Sequence, residues 1–135
     1  MSLNVLYPDS RSELLDIEAK VFGADTTLLN PRKSSFAAID LASWENCDGI
    51  VVARIQMDKT VAPHLKKCRI IVRNGVGYDN CDLELLGAAG IAVCNVPDYG
   101  TTEVADTAVA MMLAFARGTA IYDATLRQDP TALWT

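Results

Sequence analysis

The chain has 135 residues, 50% of them apolar and 21% charged, with a net charge of −5 and a pI near 4.7. That length suits one domain with a proper core, and the acidic balance argues against nucleic-acid or membrane-surface binding, which need basic patches. The longest uninterrupted apolar run, Ala108 to Ala116, is nine residues, far short of the roughly 20 that a membrane span needs.

Met1-Ser2-Leu3 leads directly into a first strand, Leu3 to Tyr7, with no basic segment and no apolar signal core before it. Pro8-Asp9 closes that strand. Ser10-x-x-Glu13 has the form of a capping box, opening an amphipathic helix to about Phe22 with Leu14, Ile17 and Val21 on one face. Gly23 stops it. Ala24 to Leu29 reads as a second strand, and Asn30 to Ser35 is the most loop-like stretch of the chain. A short helix from Asp40 to Asn46 precedes a third strand, Gly49 to Ala53. The next helix, about Val61 to Lys66, tolerates Pro63 in its first turn. A fourth strand, Arg69 to Val72, runs into Arg73-Asn74-Gly75-Val76-Gly77-Tyr78-Asp79-Asn80. Asp82 is placed to cap a helix from Leu83 to Ala89, Gly90 ends it, and Ile91 to Cys94 is a fifth strand. Strands and helices alternating over short connections mean a parallel sheet with helices on both faces.

The segment beyond residue 100 differs in character. Thr101 or Thr102 can cap a helix from about Glu103 to Arg117, and eleven of the thirteen residues from Val104 to Ala116 are apolar. A helix apolar nearly all round requires cover from a second domain or another subunit. Gly118 interrupts, and a shorter helix runs from Thr119 to Arg127. The closing Leu133-Trp134 has nothing after it to pack against and suggests a chain cut short.

Cys47, Cys68, Cys81 and Cys94 form no C-x-x-C pair, so reduced, packed thiols and a cytoplasmic compartment are expected rather than bridges or a metal site. The single histidine, His64, precedes a lysine pair and reads as a solvated surface residue. The glycine turn after the fourth strand is the candidate site. Gly75 and Gly77 permit positive φ and bring amide N–H groups toward a ligand, and Arg73 beside them can grip a carboxylate through two parallel hydrogen bonds. The plainer alternative is a strand-to-helix turn with Arg73 solvated at the sheet edge, since Gly-x-Gly after a strand is common.

From Arg69 to Arg117, the run Arg-Ile-Ile-Val-Arg-Asn-Gly-Val-Gly-Tyr-Asp-Asn-Cys-Asp-Leu through Gly-Ile-Ala-Val-Cys-Asn-Val-Pro-Asp-Tyr-Gly-Thr-Thr-Glu-Val-Ala-Asp resembles the NAD-dependent D-isomer-specific 2-hydroxyacid dehydrogenases, on the branch with phosphoglycerate dehydrogenases and C-terminal-binding-protein-like oxidoreductases. The resemblance implies a flavodoxin-like substrate-binding domain over residues 1–100 and an interdomain helix and dimerisation arm over residues 101–135. It implies that the Asn74-Gly75-Val76-Gly77 turn holds the carboxylate of a small 2-hydroxy or 2-keto acid. Arg73 matches a position beside that substrate, and Arg54 lies near where the loop after the third strand meets it; Val76 and Val104 match positions approaching the nicotinamide end of the cofactor. A homodimer through residues 101–135 is implied as well, with no nucleic acid and no membrane as partner.

The chain departs from the family pattern where the cofactor domain would open. It contains no G-x-G-x-x-G, because Gly75-Val76-Gly77 continues to Asn80 where a third glycine is needed. The family's catalytic arginine, glutamate and histidine come from that later portion, as does the helix that returns to complete the substrate domain. No catalytic residue is therefore assigned, and NAD or NADP is expected in the complete enzyme but not bound tightly by this chain alone. The other class of reading is a non-catalytic, dimerising module that binds a small carboxylate or a protein. A phospho-receiver is set aside because Ala53-Arg54 and Asn95-Val96 stand where its aspartate and lysine would be. A flavin carrier is set aside because Tyr7-Pro8-Asp9 replaces its phosphate loop.

Overall fold

A computed structural model describes residues 2–13 and 15–131. By internal contacts the chain divides into two units, Met1–Pro97 and Asp98–Thr135. The first holds a five-stranded parallel sheet in the order β2-β1-β3-β4-β5, with β1 at Leu3–Leu6, β2 at Thr26–Leu29, β3 at Gly49–Val52, β4 at Ile70–Arg73 and β5 at Ala92–Asn95. The parallel α/β architecture read from the sequence is the one observed. Its helices are α1 (Asp16–Phe22), α2 (Leu41–Asn46) and α3 (Leu83–Ala88), with 3-10 turns at Phe36–Ala38 and Ala62–His64.

Every strand is four residues long. Leu6, Ile50, Val52 and Ile71 are fully buried and meet Trp44, Met57 and Leu86 from the connections. Each such side chain contributes about 1.5–3 kcal/mol by leaving water. Trp44 anchors α2 to the core and tilts against Phe36 at 5.2 Å between ring centroids. Asp40 caps α2 by accepting from the Ser43 amide at 2.8 Å, and Asp82 caps α3 by accepting from the Leu85 amide at 3.0 Å.

Four local expectations are corrected. The Ser10-x-x-Glu13 box does not start a helix: Ser10 Oγ accepts from the Ser12 amide at 3.1 Å in a local turn, and α1 begins six residues later without a side-chain cap. Ile17 and Val21 are 75% and 79% exposed, so the face predicted to be apolar and packed is open; Leu14 lies outside the described residues. The helix expected over residues 61–66 is a single 3-10 turn around Pro63. His64 is half-buried, not solvated: its ring lies 5.2 Å from that of Phe36, and Nδ1 is 4.0 Å from Glu45 Oε1.

The second unit consists of α4 (Thr101–Arg117) and α5 (Thr119–Gln128). Gly118 takes the left-handed conformation, φ 64°, that ends α4 and opens α5. Neither Thr101 nor Thr102 caps α4: Gly100 holds that position, and the Thr101 hydroxyl donates to Asp98 Oδ1 at 2.7 Å. Val104, Met111, Met112, Leu113 and Phe115 all stand exposed on α4, Phe115 at 90%. Among the described residues no single helix is long and apolar enough to cross a membrane; α4 and α5 pass such a test only as a pair bent by 60°. Leu133 and Trp134 lie outside the described residues.

Candidate functional site

Arg73 is the last residue of β4, paired with Val52 on one side and Asn95 on the other. The turn that follows is fixed by hydrogen bonds to both neighbours. The Asn74 amide donates to Val52 O at 2.8 Å, Val96 N donates to Gly75 O at 3.0 Å, and Asn95 Nδ2 donates to Val76 O at 2.8 Å. With the carbonyls of Gly75 and Val76 taken by the end of β5, their peptide units are oriented and cannot swing. The Gly75 amide closes a tight turn on Arg73 O at 2.8 Å, so it is already engaged. Among the described residues the amides of Val76 and Gly77 have no protein partner. The expected cradle therefore narrows from three or four N–H groups to two.

Gly75 has φ 152° and is buried, whereas Gly77 does not adopt a positive φ, contrary to expectation. The need for glycine at residue 75 is twofold. The conformation is one that L side chains rarely adopt, and a Cβ there would stand 1.6 Å from Arg73 Nη1. The guanidinium is folded back over the bare glycine backbone. Among the described residues its Nε is buried without a hydrogen-bond partner, an orphaned donor of the kind found at ligand sites. Burial pushes the Cys81 thiol up in pKa, and the nearby Arg73 charge pulls against that shift.

Arg54, Arg73 and Gly77 line one open cavity of about 230 Å³ together with Ala53, Gln56, Asp79 and Asn80. Two guanidinium groups against one carboxylate, Asp79, leave the lining net positive. Arg54 is held in place by residues far away in the chain. The Asp9 carboxylate, only 7% exposed, accepts from the amides of Ala53 at 2.8 Å, Ile55 at 2.9 Å and Arg54 between them. Asn80 Nδ2 donates to Ile55 O at 2.9 Å, and the Met57 amide donates to Asn80 O at 2.7 Å, stitching the loop after β3 to the turn after β4.

The structure thus brings Arg54, Arg73 and Gly77 around one space, with Val76 48% exposed and Asn74 exposed in the same turn. Val104 belongs to the second unit, on α4, 70% exposed. Sequence reasoning missed Asp9. The one available signal was a carboxylate placed directly after a strand, where it faces the amides of the neighbouring loops. Among the described residues no cluster of His, Cys, Asp or Glu is arranged to hold a metal. Cys47, Cys68 and Cys81 are buried free thiols and Cys94 is exposed.

The model of the D-isomer specific 2-hydroxyacid dehydrogenase catalytic domain matches residues 13–127. The chain is 42% identical over 103 residues to a glyoxylate reductase of Pyrococcus horikoshii, covering 76% of this chain and 29% of that protein. It is 35% identical over 88 residues to a D-3-phosphoglycerate dehydrogenase of Mycobacterium leprae, covering 64% of this chain and 17% of that one. Among solved structures, the NADPH-dependent glyoxylate/hydroxypyruvate reductase of Sinorhizobium meliloti in complex with citrate superposes with a TM-score of 0.78 at 26% identity, over 96% of this chain and 40% of that chain. The chain spans less than a third of the length of these curated relatives.

Proposed function

This chain belongs to the D-isomer-specific 2-hydroxyacid dehydrogenase family, and on that premise we propose that it is the substrate-binding portion of an NAD(P)-dependent oxidoreductase interconverting D-2-hydroxy acids and 2-keto acids. Residues 1–100 form the substrate-binding part, and residues 101–135 form the interdomain helix and dimerisation arm. The observation that carries this reading is the pairing of the unengaged Gly77 amide with the half-buried Arg73 guanidinium on a cavity that Arg54 also lines, the unengaged Val76 amide being next to it in the same turn. A carboxylate seated there accepts from the two amides and from Arg73. Charge-assisted hydrogen bonds of that kind are about twice as strong as neutral ones. The hydroxyl- or keto-bearing carbon is then presented outward, toward the part of the enzyme that supplies catalysis.

The chain's own residues do not make a dinucleotide cradle. Asn80 stands where a third glycine is required, α3 begins only at Leu83, and its first turn is already capped by the Asp82 carboxylate, which opposes a pyrophosphate. NAD or NADP supplies the hydride chemistry in the complete enzyme, with Val76 and Val104 as this chain's neighbours to its nicotinamide end. A half-site cannot hold substrate and cofactor in contact, so this chain alone is expected to show no turnover. A cytoplasmic compartment agrees with four free cysteines.

The exposed apolar side chains of α4 support self-association through residues 101–135. A stable monomer at micromolar concentration in sedimentation would count against that part. The site itself is tested by titrating the chain with D-lactate and following the Val76 and Gly77 amide resonances. Both are expected to shift, and Arg73→Ala is expected to abolish the effect, since removing one member of such a charge pair costs roughly 2–5 kcal/mol. Unmoved resonances, or the same affinity in Arg73→Ala, would return the turn to a structural role.

A further inference from the structure

The register of β3 on β4 sets Gly49 opposite Ile70 and Ile50 opposite Ile71. The same pairing runs on before the two strands begin. The Arg69 amide donates to Asp48 O at 3.0 Å, and Lys67 Nζ donates to Asn46 Oδ1 at 3.0 Å. Between those two pairs the register places Cys47, in extended backbone, opposite Cys68. Neighbouring chains in a sheet lie about 4.8 Å apart, inside the roughly 4.4–6.8 Å between Cα atoms that a disulfide spans. Both cysteines are buried members of one core cluster. Cys81 bridges Met57 instead, and Cys94 faces Val72, so neither of those stands opposite a thiol.

The two sulfurs are not equivalent. Cys47 Sγ lies 3.2 Å from Trp44 O and is wholly buried, whereas Cys68 Sγ lies 3.4 Å from Ile70 O and its residue keeps 7% exposure. The hydrogen bond between the thiols holds Cys68 below its ordinary range and, together with burial, pushes Cys47 far above its own. The Asp48 carboxylate opposes a thiolate at either sulfur, more weakly than that hydrogen bond favours one at Cys68. The thiolate is the reactive form, so Cys68 is the sulfur that meets an oxidant first. An opening that small admits an oxidant near the size of water and excludes a bulky disulfide.

We propose that Cys47 and Cys68 are a peroxide-sensitive dithiol, closing to a disulfide that staples the segment before β3 to the segment before β4. Cys68 Sγ attacks one oxygen of hydrogen peroxide: an S–O bond forms, the O–O bond breaks, and the departing hydroxide takes the proton that Cys68 gave up and leaves as water. Cys47 Sγ, already in place across the pair, then attacks the sulfenic sulfur. The S–S bond forms, the S–O bond breaks, and the second hydroxide leaves as water with the Cys47 proton. Two thiols are oxidised and one peroxide is reduced to two waters. The crosslink sits at the edge of the sheet where the strands begin, whereas the glycine turn leaves the edge where they end. Closing it restricts the unfolded chain between residues 47 and 68 and so favours the folded one.

The test treats the fully reduced 135-residue chain with an equimolar amount of hydrogen peroxide, digests it without reductant and maps the peptides by mass spectrometry. The expected product is a peptide pair joined through Cys47 and Cys68, lighter by two hydrogens and separated by dithiothreitol, with Cys81 still a free thiol. The treated chain should unfold roughly 5–15 °C higher than the reduced one, and dithiothreitol should return it to the lower Tm. In Cys47→Ala the second step has no thiol, so Cys68 should stop at the sulfenic acid, be captured by dimedone, and bring no rise in Tm. Peptide mapping of the unsubstituted chain decides the matter even where that variant fails to fold. Cys47 and Cys68 recovered as free thiols, with the peroxide consumed at the exposed Cys94 alone, would overturn the proposal; a linked pair with no rise in Tm would overturn the stapling role.

Discussion

Gly75→Ala tests how the site is built, because the residue changed touches no ligand through a side chain. At φ 152° an alanine occupies backbone space that costs about 1–3 kcal/mol. Its Cβ would stand 1.6 Å from Arg73 Nη1 and 2.9 Å from Cζ. The obstruction is the far end of a flexible side chain, so the sheet need not deform; the guanidinium swings away instead. Stability should therefore fall only by the backbone strain, about 1–3 kcal/mol, or roughly 3–10 °C in Tm for a chain of this size. Carboxylate affinity should fall as far as in Arg73→Ala, and the double variant should add no further loss, because both changes remove the same guanidinium. Thermal unfolding by circular dichroism and D-lactate titration measure the two effects separately. A Gly75→Ala chain that keeps both its Tm and its lactate affinity would show that Arg73 does not depend on bare backbone at residue 75.

Three further outcomes follow from other parts of the first unit. Asp9→Asn leaves one carbonyl oxygen where a carboxylate served three amides and sets an NH₂ against N–H donors; urea unfolding should show a loss of roughly 2–4 kcal/mol, and a loss under 1 kcal/mol would refute the role given to Asp9. Hydrogen bonds from Ser43 hold the Asp40 carboxyl below its usual range, and those from Thr60 do the same for Asp58. Carboxyls lowered in the folded state stabilise it above their unfolded pKa, near 4, and lose that contribution as pH falls through the folded value. Stability should therefore be level above about pH 5 and decline on the acid side; a decline on raising pH from 5 to 7 would contradict this. The Cys47 thiol is pushed far above its usual range by its hydrogen bond with Cys68 and then by burial, and burial pushes Cys81 up. Iodoacetamide in the native state should accordingly label the exposed Cys94 first, with Cys47 and Cys81 protected until denaturant is added; rapid loss of three or four thiols under native conditions would contradict the packing.

Much of this protein was legible in its sequence because the informative signals are local. Strand runs such as Ile70-Ile71-Val72 and caps such as Asp40 and Asp82 lie within a few residues of the structure they specify. The parallel sheet follows from their alternation, since only crossover connections fit between such strands. The Arg73 to Gly77 turn was legible for the same reason. The local reading failed where a side chain had a competing partner: Ser10 had the spacing of a cap but closed a turn with the Ser12 amide, so α1 started later.

What the sequence could not supply was anything joining distant segments. Asp9 shapes the Arg54 loop from 44 and more residues away, and no spacing rule links the two. Arg11, Arg32, Lys33 and Arg54 are scattered over three connections, and they face one cavity only because the strand order reverses between β1 and β3. Periodicity and capping are written in neighbouring residues. Which loops share a sheet edge is decided by strand order, and that order exists only once the core has packed.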